Sequence, residues 1–120
     1  MIGGKVVKAI NVEEVQKTLD SLVDQELFIH LETTKGAYAN HADETQLAVG
    51  AYIRNSKITF NHGKISGASP YRVGLKMDLG WVYAEGITDW EIDDKGRMLL
   101  AGHDNEGRLT VSLQLSSNPF

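Results

Sequence analysis

Apolar and polar residues recur with two different periods along the chain. From Val12 to Val23 the apolar residues return at helical spacing, and this stripe predicts one amphipathic helix. Asn11 can cap its start, with Glu14 three residues later in a capping-box position. After Leu27 the apolar residues alternate with polar ones, as they do in a strand with one buried face. The cleanest alternation is the last one, from Leu109 to Ser116. The pattern therefore predicts an N-terminal helix followed by a series of strands. We expect the tail that ends in Phe120 to be frayed unless Phe120 docks on a partner.

Glycine and short polar residues interrupt the strand region at regular intervals. The segment Asp93–Leu99 runs from acidic residues through Gly-Arg to apolar residues, and Asp104–Thr110 repeats that order. Glycine after such residues is typical of a tight turn between antiparallel strands. The triplet Asn61-His62-Gly63 gives a third signal of this kind. We expect a hairpin at each of the three places.

The glycines inside strand patterns indicate how the sheet bends. They stand at positions 50, 74, 86 and 102. Glycine weakens a strand unless it marks a bulge or a sharp corner, so these four favour a curved sheet. We predict a mainly β fold, a curled or closed antiparallel β-barrel of about eight strands with one N-terminal amphipathic helix. Residues 1–120 are expected to form a single domain, with the helix at about 12–23 and the antiparallel strands over about 27–115.

Composition excludes several classes of function. The chain has no cysteine, which excludes disulfides, thiolate metal sites and cysteine nucleophiles. A formal charge of −4 argues against binding to a phosphate backbone or an anionic membrane, so we expect neither a nucleic-acid nor a membrane partner. Since the segment Met1–Lys5 does not begin a signal peptide, the expected location is cytoplasmic.

His30 and Glu32 are the first candidates for a functional site. Two residues apart on a strand, they share the face opposite Leu27, Ile29 and Leu31. The pair has the chemistry of a general base with an orienting carboxylate, or of two metal ligands. The more common use of such a pair is the exposed polar face of a half-buried sheet, and both interpretations stay open. No established catalytic or nucleotide-binding motif occurs, so catalytic residues are unknown.

Tyr52, Arg54 and Arg72 extend this candidate site. Together with Lys76, they alternate onto the faces opposite the aliphatic residues of their strands. If those faces converge with His30 and Glu32, these residues form a hydrogen-bonding groove for an anionic ligand or a flavin. The alternative is solubilising charge on outer faces. The aromatic residues Trp81, Tyr83 and Trp90 suit either core packing or an interface.

The other histidines give weaker signals. His41 falls in a polar loop, and His62 and His103 fall at turns, where a solvated or turn role is the favoured interpretation. The four histidines show no metal-ligand spacing. We therefore predict no metal site and no cofactor.

Several blocks of sequence, in their order along the chain, resemble the YojF family of small Bacillus and Staphylococcus proteins, a family of unknown function. The resemblance covers nearly the whole chain from the helix to Leu115. The blocks are His30–Thr34, Gly36–Ala39, Gly50–Asn55, Pro70–Gly74, Gly80–Gly86, Thr88–Glu91 and Leu100–His103. The resemblance implies a barrel-like β domain with a helix. It also implies a genomic setting beside a LmbE-like N-deacetylase of the kind that acts in bacillithiol synthesis.

Two functions from different classes follow. The leading hypothesis is a non-catalytic binding or accessory module, a homodimer with an N-deacetylase as its protein partner. It depends on the missing catalytic motifs and on the aromatic and strand-edge surface available for association. The alternative is a small enzyme or a small-ligand-binding barrel built around His30, Glu32, Tyr52, Arg54 and Arg72.

Overall fold

The structure is a computed structural model that describes residues 8–33 and 50–120. These residues form one helix and nine strands, and every strand pairing is antiparallel. The prediction of a mainly β fold with one helix is confirmed. The elements are β1 (Lys8–Ala9), α1 (Val12–Ser21), β2 (Leu27–Thr33), β3 (Tyr52–Ile58), β4 (His62–Gly67), β5 (Tyr71–Lys76), β6 (Trp81–Ile87), β7 (Asp89–Ile92), β8 (Met98–His103) and β9 (Leu109–Ser116).

Helix α1 begins where the sequence places its cap. The Asn11 side chain accepts a hydrogen bond from the main-chain nitrogen of Glu14 at 3.1 Å, which satisfies one of the free donors of the first turn. Val15 and Leu19 are fully buried on the apolar stripe. The helix ends at Ser21, two residues before the predicted end at Val23.

The strands form two open sheets instead of a barrel. The large sheet has six strands in the order β1-β7-β8-β9-β2-β3, and the small sheet has three in the order β4-β5-β6. Within the described residues neither sheet closes on itself, so the barrel prediction is not confirmed. The hairpin predicted at Asn61-His62-Gly63 is wrong, because this segment carries the chain from β3 in the large sheet to β4 in the small one.

One apolar core contains residues from both sheets and from the helix. Val73 and Ala84 come from the small sheet, Leu100 and Leu113 from the large sheet, and Leu19 from α1. At about 25 cal/mol for each Å² of apolar surface removed from water, such a core is the main source of stability. The Gln16 side chain also forms hydrogen bonds with the edge of the small sheet. Its amide nitrogen donates to the Gly63 carbonyl at 2.8 Å, and its amide oxygen accepts from the Ile65 main-chain nitrogen at 3.1 Å. The helix therefore satisfies main-chain hydrogen-bonding groups on the edge of β4, as a neighbouring strand would.

The two sheets meet at a pair of glycines. A Cβ atom on Gly102 of β8 would lie 2.1 Å from the carbonyl oxygen of Gly86 on β6. No side chain fits into that distance, so glycine is required for the close approach. Gly86 and Gly102 are two of the four glycines at which the sequence predicts a bend of the sheet, and in the structure they mark a contact between separate sheets.

The repeated acidic turns are hairpins, as predicted. Asp93 connects β7 to β8: its carboxylate accepts from the main-chain nitrogens of Lys95 and Arg97 and from the Arg97 side chain. Burial raises the pKa of Asp93, but the hydrogen bonds from Arg97 and Lys95 outweigh it and hold the pKa below the ordinary value. Asp104 repeats the arrangement between β8 and β9, and the main-chain hydrogen bond from Arg108 is the largest of the causes that lower its pKa.

Within the described part of the chain, no helix is both long and apolar enough to span a membrane.

Candidate functional site

His30 lies on the outer face of the large sheet, opposite the core residues Leu27 and Ile29. It is 5% exposed, and both ring nitrogens have partners. Its Nε2 lies 3.1 Å from Glu32 Oε1, and its Nδ1 lies 3.4 Å from Arg54 Nη1. Because a guanidinium can only donate, Nδ1 is the acceptor and Nε2 carries the proton that is donated to Glu32. This geometry leaves no lone pair of His30 free to act as a base.

Aromatic rings cover the histidine. The Tyr52 ring meets it edge-on at 5.4 Å between ring centres, and the Phe120 ring lies at 6.0 Å. Asn55, a bulge residue of β3 with a positive φ of 58°, anchors Phe120 from both sides of its main chain. The Phe120 nitrogen donates to Asn55 Oδ1 at 2.7 Å, and the Asn55 amide donates to the main-chain oxygen of Phe120 at 3.3 Å. The expectation of a frayed tail is wrong, since Phe120 docks on its own chain.

Four of the five predicted site residues come together, and the fifth does not. His30, Glu32, Tyr52 and Arg54 share the outer face of the large sheet through the β2–β3 pairing. Arg72 lies on β5 in the small sheet, where it forms an ion pair with Glu85 at 3.1 Å. Alternation placed each residue on the correct face of its own strand, but it could not show that two sheets are present.

Arg72 belongs to a second, separate surface. Trp81 and Tyr83 stack on the outer face of the small sheet with ring centres 5.3 Å apart and planes within 5° of parallel. The Arg72 guanidinium lies 5.0 Å from the centre of the Tyr83 ring, which is within cation–π range. Gly74 makes room for this stack, because a Cβ there would come within 3.0 Å of the Tyr83 ring.

The Trp81–Tyr83 stack is open to solvent, and three cationic side chains share its face of the small sheet. Trp81 is 44% exposed and Tyr83 is 48% exposed. Lys64 and Lys76 stand on the same face, since Lys64 pairs with Gly74 and Lys76 pairs with Trp81. We call this surface the aromatic face and define it as Trp81, Tyr83, Arg72, Lys64 and Lys76. The exposed aromatics are the pair that the sequence left open between core and interface, whereas Trp90 is buried in the core.

An open cleft of about 970 Å³ lies where the two sheets meet. It is lined by residues of both sheets and by the turn after β8. His103 lines it and is paired with Asp89, at 2.5 Å between Nδ1 and Oδ2. Sequence reasoning assigned His103 to a turn and did not consider Asp89. The available signal was that both residues stand in blocks that carry the family resemblance.

The remaining sequence predictions concern His41, His62 and metal binding. His41 lies outside the described residues. His62 is exposed at the start of β4. Among residues 8–33 and 50–120, no group of three or more histidine, aspartate or glutamate side chains is arranged to hold a metal ion.

Comparison with known proteins gives relatives over almost the whole chain. The profile of a family described as "Protein of unknown function (DUF1806)" matches residues 9–120. The uncharacterized protein YojF of Bacillus subtilis (strain 168) is 50% identical over 114 residues, which cover 95% of this chain and 98% of that protein. The crystal structure of Bacillus subtilis YojF superposes with a TM-score of 0.79 at 48% identity, covering 94% of this chain and 95% of that one. None of the three descriptions states an activity.

Proposed function

This chain belongs to the DUF1806 family of unknown function, and we propose that it is an accessory binding module whose aromatic face holds a protein partner without doing chemistry on it. The observation that supports this most directly is the exposed Trp81–Tyr83 stack. Large aromatic side chains are normally buried, so two of them held in parallel on an open sheet face are available for association.

The residue types of the aromatic face fit a protein interface. Tryptophan, tyrosine and arginine are the residues that most often dominate binding energy between proteins. On this face Trp81 stacks on Tyr83, and the Arg72 guanidinium lies over the Tyr83 ring. Their mutual stacking fixes the side chains before any partner arrives, which lowers the entropy lost on binding. Leu79, in the turn between β5 and β6, is a further exposed apolar residue and is 90% exposed.

Charge indicates the kind of partner. The aromatic face carries three cations, and the adjacent Glu85 is the carboxylate already paired with Arg72. The chain as a whole has a formal charge of −4, so this face differs in sign from the rest of the protein. A partner with an acidic patch around an apolar pocket is complementary to it. The LmbE-like N-deacetylase implied by the family resemblance is the partner to test.

Truncating Trp81 should weaken the complex strongly. Removal of a central interface aromatic costs about 2 kcal/mol or more, which is roughly a 30-fold rise in Kd. We expect Trp81→Ala to show that rise in calorimetric titrations against the LmbE-like N-deacetylase of the same organism. Tyr52→Ala is the matched control, since Tyr52 is 63% exposed but lies on the large sheet, and it should change Kd by less than about twofold. Absence of any complex, or equal weakening by both variants, would overturn the proposal.

We propose separately that the chain forms a homodimer through β3. Residues 52–57 of this strand are all exposed, and among the described residues the outer edge of β3 pairs with no other strand. An exposed edge is a template for a second strand, and antiparallel pairing of β3 with its copy would continue the large sheet. Light scattering after gel filtration should give twice the mass of one chain for the wild type and a single-chain mass for Ile53→Lys, because an added lysine charge on an edge strand opposes edge pairing. A wild type that elutes as a single chain at all concentrations would rule the dimer out.

A further inference from the structure

We propose that the cleft between the two sheets is a second site, in which the Asp89–His103 dyad acts as a general base that activates water for hydrolysis of a small carboxylic ester. The dyad itself is not part of the aromatic face, although Tyr83 of that face also lines the cleft. The inference depends on the geometry of the dyad, the free nitrogen of its histidine and the shape of the cleft.

The dyad is held in place by hydrogen bonds from its neighbours. Asp89 Oδ2 lies 2.5 Å from His103 Nδ1 and accepts a second hydrogen bond from the Thr88 hydroxyl at 2.9 Å. The same hydroxyl oxygen accepts from the His103 main-chain nitrogen at 3.0 Å. Thr88 is itself tied to β8, because its main-chain nitrogen donates to the Ala101 carbonyl at 2.9 Å. The imidazole is therefore oriented before a substrate binds, which is the role of the carboxylate and its supports in a catalytic dyad.

The orientation leaves one ring nitrogen of His103 available. An ionised carboxylate only accepts, so Nδ1 carries the proton that is donated to Asp89, and the lone pair lies on Nε2. Nε2 makes no hydrogen bond to any residue in the described part of the chain. His30 differs in this respect, because both of its nitrogens are engaged by side chains. Of these two histidines, His103 is the one that can accept a proton from a bound water.

The cleft has room for a small substrate beside the dyad. Its volume of about 970 Å³ is at the upper end of the range for small-molecule sites. Leu31, Ala84 and Val111 give it apolar walls, and the hydroxyl-bearing residues Thr33 and Thr110 line it as well. Its charged lining residues are Glu85, Asp104 and Arg108. A compound with a short acyl chain and a polar leaving group matches this combination of surfaces.

The reaction balances without any further reagent. His103 Nε2 takes a proton from water while the water oxygen bonds to the acyl carbon of the ester. The resulting tetrahedral intermediate collapses by breaking the bond between the acyl carbon and the leaving oxygen. That oxygen takes the proton back from Nε2, so an acid and an alcohol leave and the histidine is restored.

Hydrolysis of p-nitrophenyl acetate by the purified full chain tests the proposal. General-base catalysis contributes roughly a hundredfold or more, so His103→Gln should lower the rate by about that factor and Asp89→Asn by at least about tenfold. The control His62→Gln removes an exposed histidine outside the cleft and should leave the rate unchanged. A wild-type rate equal to that of His103→Gln would overturn the proposal.

A second measurement uses the unmutated chain, so its result does not depend on whether a variant folds. Diethyl pyrocarbonate carbethoxylates accessible imidazole nitrogens, and mass spectrometry gives the modified fraction at each histidine. We expect His103 to react and His30 to be protected, with loss of hydrolysis following the modified fraction of His103. Loss of hydrolysis that follows modification of His62 instead, or full activity with His103 modified, would contradict the assignment.

Discussion

Replacing Gly102 with alanine should destabilise the protein by about 3 kcal/mol, the upper end of the range for overpacked positions. A Cβ at this position would lie 2.1 Å from the Gly86 carbonyl oxygen and 2.7 Å from Val111 Cγ1. The nearer obstacle is backbone, so relief requires the two sheets to separate. Thermal unfolding followed by circular dichroism should show a midpoint lower by roughly ten degrees or more.

Gly74→Ala is the matched control for this prediction. A Cβ there would lie 3.0 Å from the Tyr83 ring, which is half exposed, so a small shift of a side chain toward solvent relieves the contact and no backbone has to move. We expect a loss below about 1 kcal/mol. Equal unfolding midpoints for Gly102→Ala and Gly74→Ala would show that the contact between the two sheets is not as close as described.

Phe60→Ala should cost about 3–5 kcal/mol, as truncations of fully buried aromatics do. Phe60 is completely buried in the connection that carries the chain from β3 to β4. Its ring lies against Gly63, near Leu19 of α1, so its loss leaves a cavity between the helix and the small sheet. The main-chain hydrogen bond from Asp24 to the Phe60 carbonyl survives the substitution, so the measured change reports packing.

Urea denaturation provides the measurement, with Leu79→Ala as its control. Leu79 is 90% exposed, and its truncation should change the free energy of unfolding by less than about 0.5 kcal/mol. If Phe60→Ala were as stable as Leu79→Ala, the β3–β4 connection would not be part of the core.

The features that the sequence predicted correctly are local ones. Asn11 and the apolar stripe behind it act within a few residues of each other, so the start of α1 could be read from the chain. The two acidic turns are equally local, because Asp93 and Asp104 each bond to residues two and four positions later. Alternation also assigned His30 and Glu32 to one face, where they are in contact.

The features that the sequence did not predict depend on which strands become neighbours. A glycine within a strand pattern is compatible with a bend in one sheet and with close approach of a second sheet, so the sequence alone predicts a barrel at Gly102, where the structure has a contact between two sheets. Alternation groups Arg72 with His30 because nothing in the local sequence separates β5 from the large sheet. The dyad was missed for the same reason, since Asp89 and His103 meet only through the pairing of β7 with β8.

The partner surface is tested most directly by nuclear magnetic resonance of the ¹⁵N-labelled chain as unlabelled LmbE-like N-deacetylase is added. The proposal predicts that the indole N–H of Trp81 and the amides of β5 and β6 shift or broaden first, while the amides of β2 and β3 change little. Unchanged signals from the aromatic face at a saturating concentration of the deacetylase, or changes confined to β2 and β3, would contradict it.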